Sequence, residues 1–118
     1  MARDAQQTIQ DKVRHLRERY ANSVGEKLIE IYAAYDLLVG ELGGDDPTVA
    51  IDGLATPIHK MAGSAPTFGL ADLGEIAAEM EEVLLSCKEN PDAFSKEKIS
   101  ELMKDLRLAG ENVSPEKL

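Results

Sequence analysis

Apolar positions recur along most of this chain at alternating steps of three and four, the period of an amphipathic α-helix. Over about residues 5 to 20, Ile9, Val13, Leu16 and Tyr20 form one stripe amid Arg14, Arg17, Glu18 and Arg19, predicting an opening helix that caps the rest. Ser23-Val24-Gly25-Glu26 reads as a capping box, and Leu28, Ile31, Tyr35, Leu38 and Leu42 carry a second helix to Gly43-Gly44. Asp45-Asp46-Pro47 then offers an N-cap and a first-turn proline for a third helix, whose seam is Ile51, Leu54, Ile58, Met61, Ala65 and Phe68. Pro57 interrupts that helix's hydrogen bonding to Gly53 and predicts a kink. The alternative makes Thr56 an N-cap and Pro57 a new first position, but the unbroken phase through Ile51 and Leu54 favours one kinked helix.

Beyond Pro66 and Gly69, Asp72-Leu73-Gly74-Glu75 suggests another capping box for a helix with Leu70, Leu73, Ala77, Met80, Leu84 and Cys87 on one side. Asn90-Pro91-Asp92 makes a turn, and a last helix from about Ser95 places Ile99, Leu102, Leu106 and Ala109 inward. A polar tail follows from about residue 111. Short connections between amphipathic helices predict antiparallel neighbours. The expected fold is all-α: an up-and-down antiparallel four-helix bundle with an additional N-terminal helix, a single domain over residues 1–118. A monomer is expected, because the seams are satisfied inside one bundle.

Composition narrows the function classes. In 118 residues there is room for one core but not for a nucleotide-binding kinase domain beside it. The aromatic fraction of 4% and the absence of Trp point to an aliphatic core. A net charge of −9 repels phosphate backbones and anionic headgroups, so neither nucleic acid nor membrane is an expected partner. No apolar run approaches the roughly 20 residues of a membrane span. The opening residues lack a signal-peptide core, so a cytoplasmic protein is expected. The single Cys87 lies in an apolar stripe and reads as a buried thiol.

The candidate chemistry lies at His59. On a helical wheel it stands roughly 130° from the centre of its helix's apolar seam. Its own face holds Asp52, Ala55, Thr56, Ala62, Gly63 and Pro66, none of them long. Gly63 lies one turn beyond, where a side chain would stand beside the imidazole. Its helix cost of about 1 kcal/mol relative to Ala needs an offsetting reason. Clearance for an approaching partner supplies one. A neutral imidazole keeps one ring nitrogen unprotonated and is a good nucleophile toward phosphorus.

The run His59-Lys60-Met61-Ala62-Gly63-Ser64-Ala65-Pro66-Thr67-Phe68-Gly69 resembles the signature of histidine-containing phosphotransfer (HPt) domains: a histidine, a glycine four residues on, Ser-Ala, then Phe-Gly. Many members carry a lysine three residues after the histidine, where this chain has Ala62. Lys60, the nearest cation in sequence, lies about 100° round the helix, where it biases the local potential without gripping a phosphoryl oxygen.

The resemblance implies a helical bundle and a phosphoryl carrier of a multistep phosphorelay, with no ATP-dependent kinase activity of its own. His59 would accept a phosphoryl group from a response-regulator receiver aspartate and pass it to another. The outer ring nitrogen would be the one modified, and the partner receiver would supply Mg²⁺ and a lysine. No cofactor is then needed in this chain, since phosphoryl transfer depends mainly on positioning and charge stabilisation. Ser64 would bond the backbone or orient a neighbour. Docking would cover Ala55, Thr56, Ala62 and Pro66. Expected partners are receiver domains and a hybrid or chemotaxis-type histidine kinase. Two other readings stay open: a non-phosphorylated helical adaptor for receivers, and the substrate domain of a chemotaxis-type kinase.

Elsewhere the plain readings suffice. His15, bracketed by Arg14 and Arg17, reads as solvated surface, as does the acidic run Glu79, Glu81 and Glu82. Two histidines and one cysteine on separate helices offer no metal-ligand spacing.

Overall fold

The computed structural model describes residues 2–41, 48–90 and 96–113. They form four helices, α1 (Ala2–Glu41), α2 (Thr48–Ser64), α3 (Ala71–Glu89) and α4 (Lys96–Glu111), with a 3-10 turn at Pro66–Phe68 and no strand among them. Each helix packs against two others: α2 against α3 and α1, and α4 against α3 and α1. The α2–α3 pair shares the most extensive contact. No helix among the described residues is long and apolar enough to cross a membrane.

The seams read from the sequence line the core. Ile31, Leu38, Leu54, Ile58, Ala65, Ala77, Met80, Leu84, Ile99 and Leu106 have no exposed surface, and Ile51 and Met61 have 1%. Cys87 is buried among them. At roughly 25 cal/mol per Å² of apolar surface removed from water, these aliphatic stripes are the main force holding the helices together.

The sequence suggested an opening helix over 5–20 and a second one capped at Ser23, but a single helix of 40 residues runs through both. Ser23 does not cap anything: its hydroxyl donates to the Tyr20 carbonyl of the same helix (2.7 Å). The seam passes from Tyr20 to Val24 and Leu28 without losing contact with the core, so tertiary packing overrides the local stop signal. There is therefore no separate additional N-terminal helix. At 1.5 Å per residue α1 reaches about 60 Å, and α2, α3 and α4 have only 17, 19 and 16 residues. The N-terminal part of α1 outruns them, and Ile9, Val13 and Leu16, the stripe read as part of a capping helix, are exposed.

Two further expectations change in detail. The Asp72–Glu75 capping box is not formed: α3 starts at Ala71, with Leu70 at the cap and no side-chain cap bond, leaving Asp72 in the first turn, where a carboxylate favours the helix dipole. Pro57 is inside α2, as the kinked-helix reading required, and no new helix begins there. The suggested turn signals at Gly43 to Pro47 and at Pro91 and Asp92, the start at Ser95 and the tail beyond Val113 lie outside the described residues.

Candidate functional site

The candidate site occupies the face of α2 that looks away from the core, on the α3 side. Because Ile51, Leu54, Ile58, Met61 and Ala65 are held in the interior, the helical period turns His59 outward. Its side chain is 74% exposed. Thr56, Gly63 and Pro66 around it are exposed, and Ala55 and Ala62 are half-buried at the edge of the core. All these neighbours are short, so the imidazole is the tallest group among them.

Nδ1 of His59 lies 2.5 Å from Oε2 of Glu81 on α3. A carboxylate can only accept, so Nδ1 carries the proton and donates it. Nε2 is then the nitrogen left with a lone pair when the ring is neutral. Glu81 is the less exposed partner, at 23%, and anchors the ring from a neighbouring helix. A second cross-helix pair lies on the same face, where Lys88 Nζ meets Asp52 Oδ1 at 2.8 Å. His59 and Glu81 are equally far in sequence from Leu70, and so are Asp52 and Lys88. This is the register of two antiparallel helices folded about the turn at Ala65–Leu70.

That turn is built around small and special residues. Ser64 ends α2, Gly69 adopts a left-handed φ of 88°, and Leu70 N–H returns to the Ala65 carbonyl at 2.9 Å. Gly74 is buried on α3, where an added Cβ would collide with Pro66 Cγ and Cδ. The glycine is therefore what lets α3 close against the end of the site. Gly63 is different in kind: a Cβ there would meet nothing within 4 Å, and its φ is not positive. Nothing inside the fold requires a glycine at 63, so the clearance it gives is toward the outside.

Behind the turn, α1 reaches the site through Tyr20. The Tyr20 ring stacks on Phe68 (centroids 4.8 Å apart, planes 20° apart). Its hydroxyl lies 2.8 Å from Ser64 Oγ. Ser64 spends its own proton on the Lys60 carbonyl (2.6 Å), so Tyr20 is the donor of that pair. Burial raises the Tyr20 pKa above its ordinary value. Ser64 thus joins the α2 backbone and the Tyr20 hydroxyl. Thr56 donates to the Asp52 carbonyl (3.0 Å) in the turn that Pro57 leaves one donor short.

Lys60 is placed away from His59. It lines a groove between α1 and α2 of about 630 Å³ with Tyr20, Lys27, Glu30 and Gly63, whereas His59 reaches toward α3. Glu81 was missed in the sequence, where it read as part of a solvated acidic face. The signal was present as its symmetric position to His59 about Leu70, next to the core residue Met80.

An exposed imidazole tethered through one nitrogen and open at the other can act as a nucleophile or proton carrier, and the short residues around it admit a large partner. Comparison with curated proteins and with solved structures returned no match. The family model described as the Hpt domain matches residues 15–110, which spans α2, α3, the candidate histidine and most of α1 and α4. On that match the chain belongs to the Hpt domain family, whose members are helical phosphocarrier modules of two-component phosphorelays rather than kinases.

Proposed function

We propose that His59 is the phosphoryl-accepting residue of this Hpt domain, taking its phosphoryl group from a receiver-domain aspartate and passing it to the aspartate of a second receiver. The observation that carries this reading is the exposed His59 ring, held by Glu81 through Nδ1 with Nε2 unencumbered. The Nε2 lone pair attacks phosphorus as the acyl phosphate O–P bond breaks and the aspartate leaves as a carboxylate. The ring keeps its Nδ1 proton and gains positive charge, which the Glu81 carboxylate faces directly. Return transfer to a receiver runs the same steps backward. Mg²⁺ and a cation for the phosphoryl oxygens come from the receiver.

The partner's approach covers Ala55, Thr56, Ala62, Gly63 and Pro66. Ser64 and Tyr20 act at one remove, fixing the end of α2, and Lys60 contributes only its charge to the surrounding potential. The test is incubation of the chain with Mg²⁺ and each of a panel of phosphorylated receivers from the same cell, beside His59→Gln. Acid-labile phosphate on the unmodified chain and none on the variant is the expected result. Equal labelling of both would move the site elsewhere, and no labelling of either by any receiver would favour the adaptor reading.

A further inference from the structure

Three large apolar side chains of α1 stand exposed: Ile9 is 62% exposed, Val13 42% and Leu16 49%. Their steps of four and three make them a ridge along one edge of the helix. Farther along the same helix, the side carrying Glu30, Ala34 and Leu37 is turned roughly 60–80° from that ridge. There it borders an apolar groove of about 640 Å³ between α1 and α2, walled by Ala33, Ala34, Leu37, Val49, Ala50 and Gly53. Leu37 is 67% and Val49 75% exposed, and Gly53 leaves the α2 wall without a side chain. One helix therefore presents an uncovered ridge in its first half and an uncovered groove in its second.

Charge divides in the same way. Lys12, Arg17 and Arg19 flank the ridge, while Arg14 is engaged within its own helix by Asp11 and Glu18. Glu26, Glu30 and Asp36 lie along the groove half, with Lys27 drawn over the Tyr20 ring. We propose that two copies of this chain pair through antiparallel α1 helices, the ridge of each lying in the groove of the other. A twofold axis near the middle of α1 brings ridge to groove and basic to acidic flank at both ends. A parallel pair would set basic on basic and leave both grooves open. A membrane surface would take the ridge alone, against the repulsion of a chain of net charge −9. Two-way docking uses both uncovered surfaces and closes, so assembly stops at the dimer. His59 does not line this groove.

Sedimentation equilibrium of the full chain tests the proposal, with helicity by circular dichroism as the folding control. The unmodified chain should show a concentration-dependent dimer, and Leu16→Glu should weaken it by about tenfold or more. Ile9→Ser serves the same purpose should Leu16→Glu lose helicity. A charge exchange then tests the antiparallel register. Arg17→Glu with Arg19→Glu in one chain, and Glu26→Arg with Glu30→Arg in another, should each associate poorly alone and recover when mixed one to one. A chain that stays monomeric up to roughly 1 mM, a dimer indifferent to Leu16→Glu and Ile9→Ser, or a mixture that does not recover overturns the proposal. So does a monomer that sediments with phosphatidylglycerol vesicles through Leu16, which would assign the ridge to lipid.

Discussion

His15 and His59 are almost equally exposed, at 70% and 74%, and each has a glutamate beside Nδ1. The resemblance ends there. Glu18 stands 3.8 Å from His15 and belongs to the same projecting stretch of α1. Glu81 lies 2.5 Å from His59 and comes from a different helix. His15 is bracketed by Arg14 and Arg17, long side chains that sweep the space around the ring, whereas the neighbours of His59 are Ala, Thr, Gly and Pro. Exposure alone does not make a histidine useful for transfer. A ring fixed from a second helix and short neighbours distinguish the α2–α3 face from that stretch of α1.

The largest separation of the two regions should come from removing the rings themselves. His59→Gln is expected to abolish acid-labile phosphate from a charged receiver, and His15→Gln to leave it unchanged, both read by autoradiography. A label that follows His15 would reverse the comparison.

Next in size is the effect of clearance. Gly63 and Gly25 are both exposed helical positions where a Cβ meets nothing within 4 Å. Gln at either site should keep or raise the melting temperature, since Gly costs about 0.5–1 kcal/mol in a helix. Transfer should nevertheless fall roughly ten- to a hundredfold in Gly63→Gln, because small displacements of reacting groups are costly. Gly25→Gln should be silent. Unimpaired transfer by a folded Gly63→Gln protein would remove the clearance argument.

The tether ranks third. Glu81→Gln removes a charge-assisted hydrogen bond of about 1.5–3 kcal/mol, so transfer should slow by about tenfold or more, with Glu18→Gln as the neutral control. Rapid-quench kinetics with a single receiver would show it. An unchanged rate in Glu81→Gln would reduce the pair to a surface contact.

The smallest contrast lies between two tyrosines of α1. Tyr20 donates to Ser64 at the end of the site, whereas the Tyr32 hydroxyl is buried with no hydrogen-bond partner among the described residues. Tyr20→Phe should cost about 1 kcal/mol in urea unfolding, and Tyr32→Phe should be neutral or stabilising by a similar amount. Equal losses in both would mean that the Tyr20–Ser64 bond does not help hold the turn.

The legible part of the fold was what periodicity controls. The seams of α2, α3 and α4 were readable because each alternates three and four around a buried side, and Pro57 did not break the phase. The illegible part was decided by competition between local and tertiary terms. Ser23-Val24-Gly25-Glu26 has the residues of a capping box, yet Tyr20, Val24 and Leu28 remain in the core and the helix continues through it. Asp72 and Glu75 likewise resemble a box, but the helix is capped two residues earlier, at Leu70. The apolar stripe at Ile9, Val13 and Leu16 has the same period as a core stripe, and only the lengths of the other helices determine that it lies outside. At the site, His59, Gly63 and Ser64 were visible through spacing along one helix. Glu81 and Tyr20 were not, because their roles depend on the register between helices, which no single stripe records.

The most direct test follows the phosphoryl group to its atom. Chain labelled with ¹⁵N in its histidine rings, incubated with Mg²⁺ and a phosphorylated receiver, should give one phosphohistidine by NMR, at His59, bonded through Nε2 with Nδ1 still protonated. Phosphate found on His15, or on Nδ1 of His59, would contradict the account.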